Sequence, residues 1–206
     1  MTAFDRNHPP SLILASASRI RAQILDAAGV TFTVHPAAVD EDEIKRSLRA
    51  EGADAATTAD VLAETKACRT SRQHPGALVI GADQILECGT AWFDKPADTD
   101  HARAHLVALR GRTHRLATAV CVVRDGRRLW HHREAPQLTM RPFSDLFLDR
   151  YLALEGTELL SSVGAYRLEG LGIQLFARVE GDHFSILGLP LLPLLAFLRD
   201  HGVVLR

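Results

Sequence analysis

The sequence predicts an α/β fold with a mixed sheet, and three observations support this prediction. Short apolar strands alternate with helical patterns over the first half of the chain, as in α/β proteins. In the second half an Asp125-Gly126 pair separates two long segments, and this dipeptide is a strong signal for an antiparallel hairpin. The 206 residues, 47% of them hydrophobic, suffice for one domain or two small lobes with a buried core.

The first elements follow from local patterns. Residues 12–15 are apolar and predict a buried strand, which ends at the small residues 16–18. Apolar residues then recur at helical spacing until Gly29, and a second short strand is expected at residues 32–34. The acidic cluster at residues 40–43 is typical of the negatively charged start of a helix.

The next segment predicts where a ligand site lies. A helix is expected from an N-cap at Thr58 or Asp60 to residues 74–76, and a fully apolar strand follows at residues 77–80. This strand runs into Gly81-Ala82-Asp83-Gln84, which places Asp83 at the carboxyl end of a central strand. Ligand sites in α/β sheets lie at that edge.

The second half predicts further strands and helices. They are a hairpin at residues 85–87 and 91–93, a helix at 98–109, strands at 113–123 and 127–139, a helix from Ser144 or Asp145 to Leu154, a strand at 174–179, and a terminal helix opened by Gly188-Leu189-Pro190. We therefore expect residues 1–206 to form a single domain of two lobes, with a boundary near Gly111. The terminal helix is expected to pack back on the first lobe.

Composition and motifs exclude several classes of protein. A net charge of -1 argues against a protein that binds nucleic acid polymers through a general basic patch. The three cysteines form no CxxC pair, so they indicate neither a disulfide framework nor a zinc site, and they fit a reducing cytoplasm. The first ten residues lack a signal-peptide pattern and no run of about 18 apolar residues follows, so neither export nor membrane insertion is expected. The P-loop, GxGxxG, GxSxG and HExxH motifs are absent.

Four dispersed positions remain as candidates for chemistry, and each has a structural alternative. The serine-rich turn at 16–18 can cap a helix, or it can offer hydroxyls and amides to an anion while Arg21 supplies a planar fork for phosphate oxygens. Lys66 lies on a helix, where a solvated face is the default. Asp83 suits a plain turn, a metal ligand or a base. Lys95 lies at a turn, and it is one of only three lysines beside 21 arginines.

Several sequence blocks, in this order, resemble a known family. They are LILASASRIRAQIL at 12–25, LAETKA around Lys66, GADQ at 81–84, DKP at 94–96, LRGRTH at 109–114, and GAYRLEGLG with VEGDHFSILGLPL near the end. Together they resemble the Maf family of nucleoside triphosphate pyrophosphatases. No single block is decisive, but their order and spacing from residue 12 to residue 192 make coincidence improbable.

The resemblance implies a fold, an activity and a set of site residues. The fold is a two-lobed Maf/ITPase-like mixed α/β fold with a central cleft, usually dimeric, and the implied role is the removal of non-standard nucleotides. The reaction is hydrolysis of a nucleoside triphosphate to the monophosphate and pyrophosphate with a divalent metal, Mg²⁺ or Mn²⁺. By motif position, the phosphate-binding residues would be Ser16, Ser18, Arg21, Lys66 and Lys95. Asp83 would be the essential acid that orients the water directly or through the metal, and Glu41 would be a second metal carboxylate.

The charge balance of the reaction agrees with these residues. A triphosphate brings several negative charges, which must be neutralised while pyrophosphate leaves. Cationic side chains and a divalent metal supply this, and neighbouring cations also favour the charged form of Asp83. A protein that only binds nucleotides does not need an ionised acid among its phosphate contacts. The sequence therefore favours an enzyme over the alternative, a nucleotide-binding regulator of cell division with little turnover.

Three positions bear on the base. Relatives that resemble dTTP and UTP pyrophosphatases carry Arg, Thr and Gln there, whereas this chain has Ile20, Gln84 and Glu169. Gln84 and Glu169 match the branch that resembles 7-methyl-GTP pyrophosphatase, and a carboxylate suits the two adjacent donors of a guanine edge. The alternative is that Glu169 faces solvent beside Gly170. Ile20 in place of an aromatic residue leaves stacking on the base unsupported.

One further position stays open at this level. His114, in the LRGRTH block, either contacts a ligand or pairs with a strand neighbour, and the sequence does not separate these two interpretations.

Overall fold

The computed structural model describes residues 10–205. The N-terminal segment on which the absence of a signal peptide was predicted lies, apart from Pro10, outside the described residues. Contacts between Cα atoms divide the chain into two compact units. Unit 1 holds the described parts of Met1–Gln84, Thr118–Glu134 and Asp182–Arg206, and unit 2 holds Ile85–Ala117 and Ala135–Gly181. The chain crosses between the units four times, and the single boundary predicted near Gly111 is not among these crossings. Whether the chain behaves as a single domain stays a prediction.

The described residues form eight strands and seven α-helices. In chain order they are β1 (Leu12–Leu14), α1 (Arg19–Ala27), β2 (Thr33–Val34), α2 (Glu41–Ala50), α3 (Ala55–Ser71), β3 (Leu78–Cys88), β4 (Ala91–Phe93), α4 (Thr99–Leu109), β5 (Thr113–Arg124), β6 (Arg127–Glu134), β7 (Gln137–Met140), α5 (Asp145–Glu155), β8 (Phe176–Glu180), α6 (His183–Ile186) and α7 (Leu191–Asp200). Three 3₁₀ helices lie at Gly156–Ser161, Val163–Ala165 and Leu171–Leu175.

Strand pairing confirms the predicted mixed α/β class. The strands pair in the order β2-β1-β3-β5-β7-β8, with β4 also on β3 and β6 also on β5. Strand β1 runs parallel to both β2 and β3, while the pairs that β5 forms with β6 and β7 are antiparallel. The predicted ribbon after Asp125-Gly126 is divided, because residues Ala135 and Pro136 separate β6 from β7 and proline cannot donate to a ladder.

The core of unit 1 holds α1 and α7 against the sheet. Side chains of β1, β3 and β5 pack there with both helices, among them Leu14, Ile80, Val122 and Leu194. Helix α7 is apolar on the face that enters this core, although Leu192 on it is 62% exposed. Among the described residues no helix has both the length and the apolar character needed to cross a membrane.

Helix α3 begins earlier than the sequence indicated. Its N-cap is Asp54, whose carboxylate accepts a hydrogen bond from the Thr57 amide at 2.7 Å, and the expected caps Thr58 and Asp60 are both buried inside the helix. Asp60 is instead bound to arginine side chains, so its carboxylate serves tertiary contacts rather than the helix start. The prediction of an N-cap at Thr58 or Asp60 was therefore wrong.

Strand β3 is longer than predicted, and Asp83 lies within it rather than at its end. The sequence predicted that the strand ends at residue 80, before Gly81. Gly81 instead lies within the strand, where its missing side chain lets β3 approach α3 closely. A Cβ placed there would collide with the carbonyl oxygen of Ala63 and would lie 2.8 Å from Cβ of Ala67, both on α3. Asp83 nevertheless lies beyond the last β1–β3 pair, Leu14 with Ile80, so it follows the end of the parallel pairing.

Two further differences lie near the C-terminus. Strand β8 begins at Phe176 rather than residue 174, because residues Leu171–Leu175 form a 3₁₀ turn. The short helix α6 was not predicted. Its N-cap Asp182 accepts hydrogen bonds from the amide and the hydroxyl of Ser185, both at 2.7 Å, and this local capping stabilises a single turn.

Candidate active site

Lys66 joins two carboxylates in unit 1. Its ammonium nitrogen lies 2.6 Å from Oδ1 of Asp83 and 2.8 Å from Oε1 of Glu41. The side chains of Lys66 and Asp83 are only 9% and 7% exposed, whereas that of Glu41 is 42% exposed. Helix α3 supplies the lysine, strand β3 the buried acid, and the first residue of α2 the second acid. Three residues that are far apart in the sequence are thus brought into one charged cluster.

The two carboxylate oxygens of Asp83 differ in their hydrogen-bond partners. Oδ1 is bound to Lys66, while Oδ2 is buried and has no hydrogen-bond partner among the described residues. Burial raises the pKa of Asp83 above its usual range, against the opposing charges of Lys66 and Arg21. The cations do favour the charged form, as expected from the sequence, but loss of solvation is the larger effect. A raised pKa makes the carboxylate a stronger proton acceptor.

Arg21 binds the backbone next to this acid, at the carbonyl oxygen of Ala82, and both serines of the 16–18 turn contact Arg21. The hydroxyl oxygen of Ser16 accepts hydrogen bonds from the Ser18 amide at 3.2 Å and from Arg21 Nη1 at 3.1 Å. Ser18 is the N-cap of α1, so the capping interpretation of this residue is confirmed. Each serine hydroxyl keeps its own O–H for donation to a ligand, because these contacts use only the oxygen as acceptor.

Gln84 is held by residues that the sequence did not single out. Its Nε2 donates to Thr118 Oγ1 at 2.8 Å and to the carbonyl oxygens of Ser185 and Ile186 at 3.0 and 3.2 Å. The amide nitrogen is therefore committed, and the carbonyl oxygen is the part left for a ligand. Ile20 packs partly buried against the core of unit 1, as an apolar residue on the first turn of α1. No local pattern marks Ser185 or Thr118, since their partner lies 101 or 34 residues away.

Two of the predicted site residues, Lys95 and Glu169, belong to unit 2. Lys95 follows β4. Glu169 is exposed, and its carboxylate lies 3.4 Å from Nε of Arg167. This environment agrees with the solvent-facing interpretation of Glu169. The phosphate role of Lys95 and the base role of Glu169 stay predictions from the resemblance.

His114 has a protein partner in unit 2. Its Nε2 lies 2.8 Å from the Tyr166 hydroxyl, and the ring is almost completely buried. Burial lowers the pKa of His114 to about 4, so the ring is neutral at physiological pH. The sequence left open a ligand contact or a pair with a strand neighbour, and the partner found is Tyr166, which lies outside the strands, after the 3₁₀ helix Val163–Ala165.

The cluster around Asp83 has donors that suit a divalent metal. Magnesium is bound in proteins through one or two carboxylates, with substrate phosphates and water completing its coordination. Asp83 offers a bare, buried oxygen, and Glu41 shares a cation with it. No group of three acidic, histidine or cysteine side chains able to hold a metal occurs in the described part of the chain. The residues therefore fit a metal that arrives with a phosphate ligand rather than a site made by protein alone.

The chain thus combines a mixed α/β fold with a buried acid that shares a lysine ammonium with a second carboxylate. A family model described as Maf-like protein matches residues 11–201, and the chain belongs to the Maf family. The resemblance inferred from the sequence blocks is therefore confirmed.

Named relatives cover nearly the whole chain. It is 61% identical over 190 residues to a protein of Paramagnetospirillum magneticum named nucleoside triphosphate pyrophosphatase, covering 92% of this chain and 98% of that protein. A protein of Granulibacter bethesdensis with the same name is also 61% identical, with 92% and 96% covered. A protein of Rhizobium etli named 7-methyl-GTP pyrophosphatase is 49% identical, with 95% and 98% covered.

Proposed function

We propose that this protein is a nucleoside triphosphate pyrophosphatase, a hydrolase that converts a nucleoside triphosphate to the monophosphate and pyrophosphate. The observation that carries the proposal is the cluster in which Lys66 joins buried Asp83 to Glu41 while one Asp83 oxygen has no partner. The two relatives named for this activity each align with 92% of the chain. The competing role, a regulator of cell division, has no support from the names of these relatives.

The proposed reaction is an attack of water on the α-phosphorus. The water oxygen forms a bond to phosphorus as the bond to the bridging oxygen of pyrophosphate breaks, and pyrophosphate leaves with that electron pair. Asp83 orients the water through Oδ2 and accepts its proton, a role that its raised pKa favours. A divalent metal held by Asp83 and Glu41 would neutralise charge on the phosphate oxygens.

The phosphates need donors that are positioned before the substrate arrives. Lys66 supplies a buried positive charge, and the hydroxyls of Ser16 and Ser18 lie at the start of α1, where the backbone favours anions. Arg21 contributes the part of its guanidinium that the protein does not already bind. Lys95 is assigned to the phosphates by the resemblance alone.

We assign a guanine-type base as the preferred one. Gln84 presents a carbonyl acceptor because its amide nitrogen is bound to protein, and an acceptor pairs with the N–H donors of guanine. Glu169 is assigned the same role by the resemblance, and Ile20 offers apolar contact without aromatic stacking. The 49% identical relative from Rhizobium etli is named for a methylated guanine nucleotide.

A nucleotide panel tests the activity and the base together. We expect pyrophosphate, and not orthophosphate, from GTP or 7-methyl-GTP in the presence of Mg²⁺ or Mn²⁺, at a higher kcat/KM than from UTP or dTTP. Glu169→Gln is expected to lower that preference about tenfold, and Glu180→Gln, on an exposed strand of the same unit, serves as the matched control. No product from any nucleotide would overturn the activity, and faster turnover of UTP would overturn the guanine assignment.

The remaining proposals concern the setting of the enzyme. We infer a homodimer and a house-cleaning role from the family, and a cytoplasmic location from cysteine usage. All three cysteines are free thiols, as a reducing compartment requires. Sedimentation of the protein in solution tests the dimer, and a monomer at micromolar concentration would contradict it. We propose no nucleic acid polymer and no membrane as partners.

A further inference from the structure

Arg21 is bound by three different segments of unit 1. Its Nε donates to the carbonyl oxygen of Gly188 at 2.8 Å, and its Nη1 donates to the carbonyl oxygen of Ala82 at 2.8 Å and to Ser16 Oγ at 3.1 Å. The residue is 9% exposed. These partners lie in the turn after α6, in β3, and in the loop after β1. The side chain therefore connects elements that are distant in the sequence.

Most of the guanidinium is used within the protein. A guanidinium has five N–H donors, and three of them are taken by these hydrogen bonds. Only Nη2 remains for a ligand. An arginine that recognises phosphate does so through a fork of two parallel N–H groups, and here that fork is already broken up by protein acceptors.

The segment around α6, which binds Arg21, also binds the side chain of Gln84, the residue after Asp83. We call residues 182–188 the α6 segment. Its carbonyl oxygens at Ser185 and Ile186 accept from the Gln84 side chain, and its carbonyl at Gly188 accepts from Arg21. The residue before Asp83 is thus tied to this segment through Arg21, and the residue after it is tied directly.

We propose that Arg21 is a positioning residue for Asp83, which fixes the backbone of β3 against the α6 segment. The inference rests on the proposed pyrophosphatase activity and changes what Arg21 does in it. Its main contribution is to hold the carboxylate in place, and phosphate contact is secondary. Catalytic groups must be held within about 0.5 Å of their productive position by residues that are themselves locked. Arg21 meets that requirement through two backbone carbonyls, of Gly188 and Ala82, which accept from its Nε and its Nη1.

A pair of glycine variants tests this without replacing Arg21. Gly188 has a φ of +95°, and a Cβ there would lie 3.3 Å from Nε and Nη2 of Arg21. Gly202 has a φ of +70° and nothing within 4 Å of such a Cβ. Gly188→Ala and Gly202→Ala both place an alanine at positive φ, and only the first brings a Cβ against the guanidinium. We expect Gly188→Ala to lower kcat about tenfold or more with KM for the nucleotide within about twofold, and Gly202→Ala to match the wild type.

Arg21→Lys provides the second measurement. A single ammonium keeps the charge but cannot bind all three acceptors, so positioning predicts a fall in kcat with little change in KM. A phosphate-binding role predicts the reverse, a rise in KM with kcat largely kept. Kinetics of pyrophosphate release and thermal melting are recorded for all variants, so that a fold defect is seen separately.

Two results would overturn the role of Arg21. The first is identical kinetics of Gly188→Ala and Gly202→Ala in an active background, and the second is an Arg21→Lys variant that is altered in KM alone. If the wild type releases no pyrophosphate from any nucleotide, the proposed function fails and this inference falls with it. An active wild type with unaffected glycine variants removes only the inference.

Discussion

Unit 1 buries two carboxylates, Asp60 and Asp83, in contrasting ways. Both side chains are 7% exposed. Asp60 on α3 has both oxygens engaged, since Oδ2 accepts from Arg133 at 2.6 Å and from Arg128 at 3.2 Å while Oδ1 lies 3.4 Å from His131. Asp83 has one oxygen on Lys66 and the other without a partner among the described residues.

The pKa values of the two acids shift in opposite directions. Burial raises the pKa of each, but at Asp60 the hydrogen bond and charge of Arg133, with the charges of His131 and Arg128, lower it below its usual range. At Asp83 burial prevails over Lys66 and Arg21, and the pKa is raised. Burial alone therefore does not identify a functional acid. An acid with a bare oxygen and a raised pKa can take up a ligand or a proton, whereas a fully satisfied acid holds structure.

The largest expected effect is the loss of activity when Asp83 is replaced, with little change in stability. Asp83→Asn is expected to reduce kcat about 10³-fold, because an amide neither accepts the water proton nor binds a metal well. Its free energy of unfolding should stay within about 1 kcal/mol of the wild type, because Asp83 loses the cost of burying its charge and Lys66 keeps Glu41 as a charged partner.

Asp60→Asn is expected to do the opposite. It should lower the free energy of unfolding by about 2 kcal/mol, because Arg133 loses its charged partner and Arg128 keeps only Glu64, and it should keep activity within about threefold. Urea unfolding and pyrophosphate release of both variants check this pair of results, with exposed Asp26→Asn as the control. An active Asp83→Asn variant would show that turnover does not need the Asp83 carboxylate.

The next effect concerns the cation beside Asp83. Lys66→Met leaves two carboxylates without their shared ammonium, so we expect Mn²⁺ to bind in the absence of nucleotide with a Kd lower by about tenfold or more. Arg199→Met, on α7, removes one positive charge from an exposed side chain away from Glu41 and Asp83 and should leave the Mn²⁺ affinity unchanged. Titration followed by electron paramagnetic resonance reports free Mn²⁺ directly. Equal affinities of the wild type and Lys66→Met would show that Glu41 and Asp83 do not bind the metal.

The smallest expected effect is in the pH dependence of stability. Asp60 has a lowered pKa in the folded state, so its stabilising effect is complete above the unfolded value and is lost as the pH falls through the folded value. The gap in Tm between the wild type and Asp60→Asn should therefore shrink toward low pH.

The pH dependence of stability that comes from Asp83 should have the opposite sign. Its raised pKa means that the unfolded state ionises first as the pH rises above 3.8, so Asp83→Asn should gain stability relative to the wild type over that range. Melting curves from pH 3 to pH 7 with a chelator present test both signs. Parallel curves for the two variants would remove the distinction between the acids.

Local signals predicted much of the fold. The approximate starts of α1, α4 and α5 were readable because Ser18, Asp98 and Ser144 each accept a hydrogen bond from an amide three residues away. Asp125-Gly126 marked its hairpin because both residues adopt the positive φ that a two-residue turn requires. The sequence did not reveal that Asp54 caps α3, since Thr58 and Asp60 are also good caps and only their burial excludes them.

Residue types alone predicted less of the candidate site than of the fold. Ser16, Lys66 and Asp83 were each ambiguous, and the resemblance, not spacing, proposed that they act together. The partners of Gln84 and Arg21 in the α6 segment are up to 167 residues away in sequence, and carbonyl acceptors have no side-chain signature. Local patterns therefore named the groups that carry charge but not the backbone that orients them.

Gly81 sets the thickness of the layer between α3 and β3. Its missing side chain lets the strand lie directly on Ala63 and Ala67, the residues that flank Lys66 within about one helical turn. The reach of the Lys66 ammonium to Asp83 is thus determined by main-chain contact, two positions before the acid. A larger residue at 81 would separate the layers and lengthen that reach without altering any charged group.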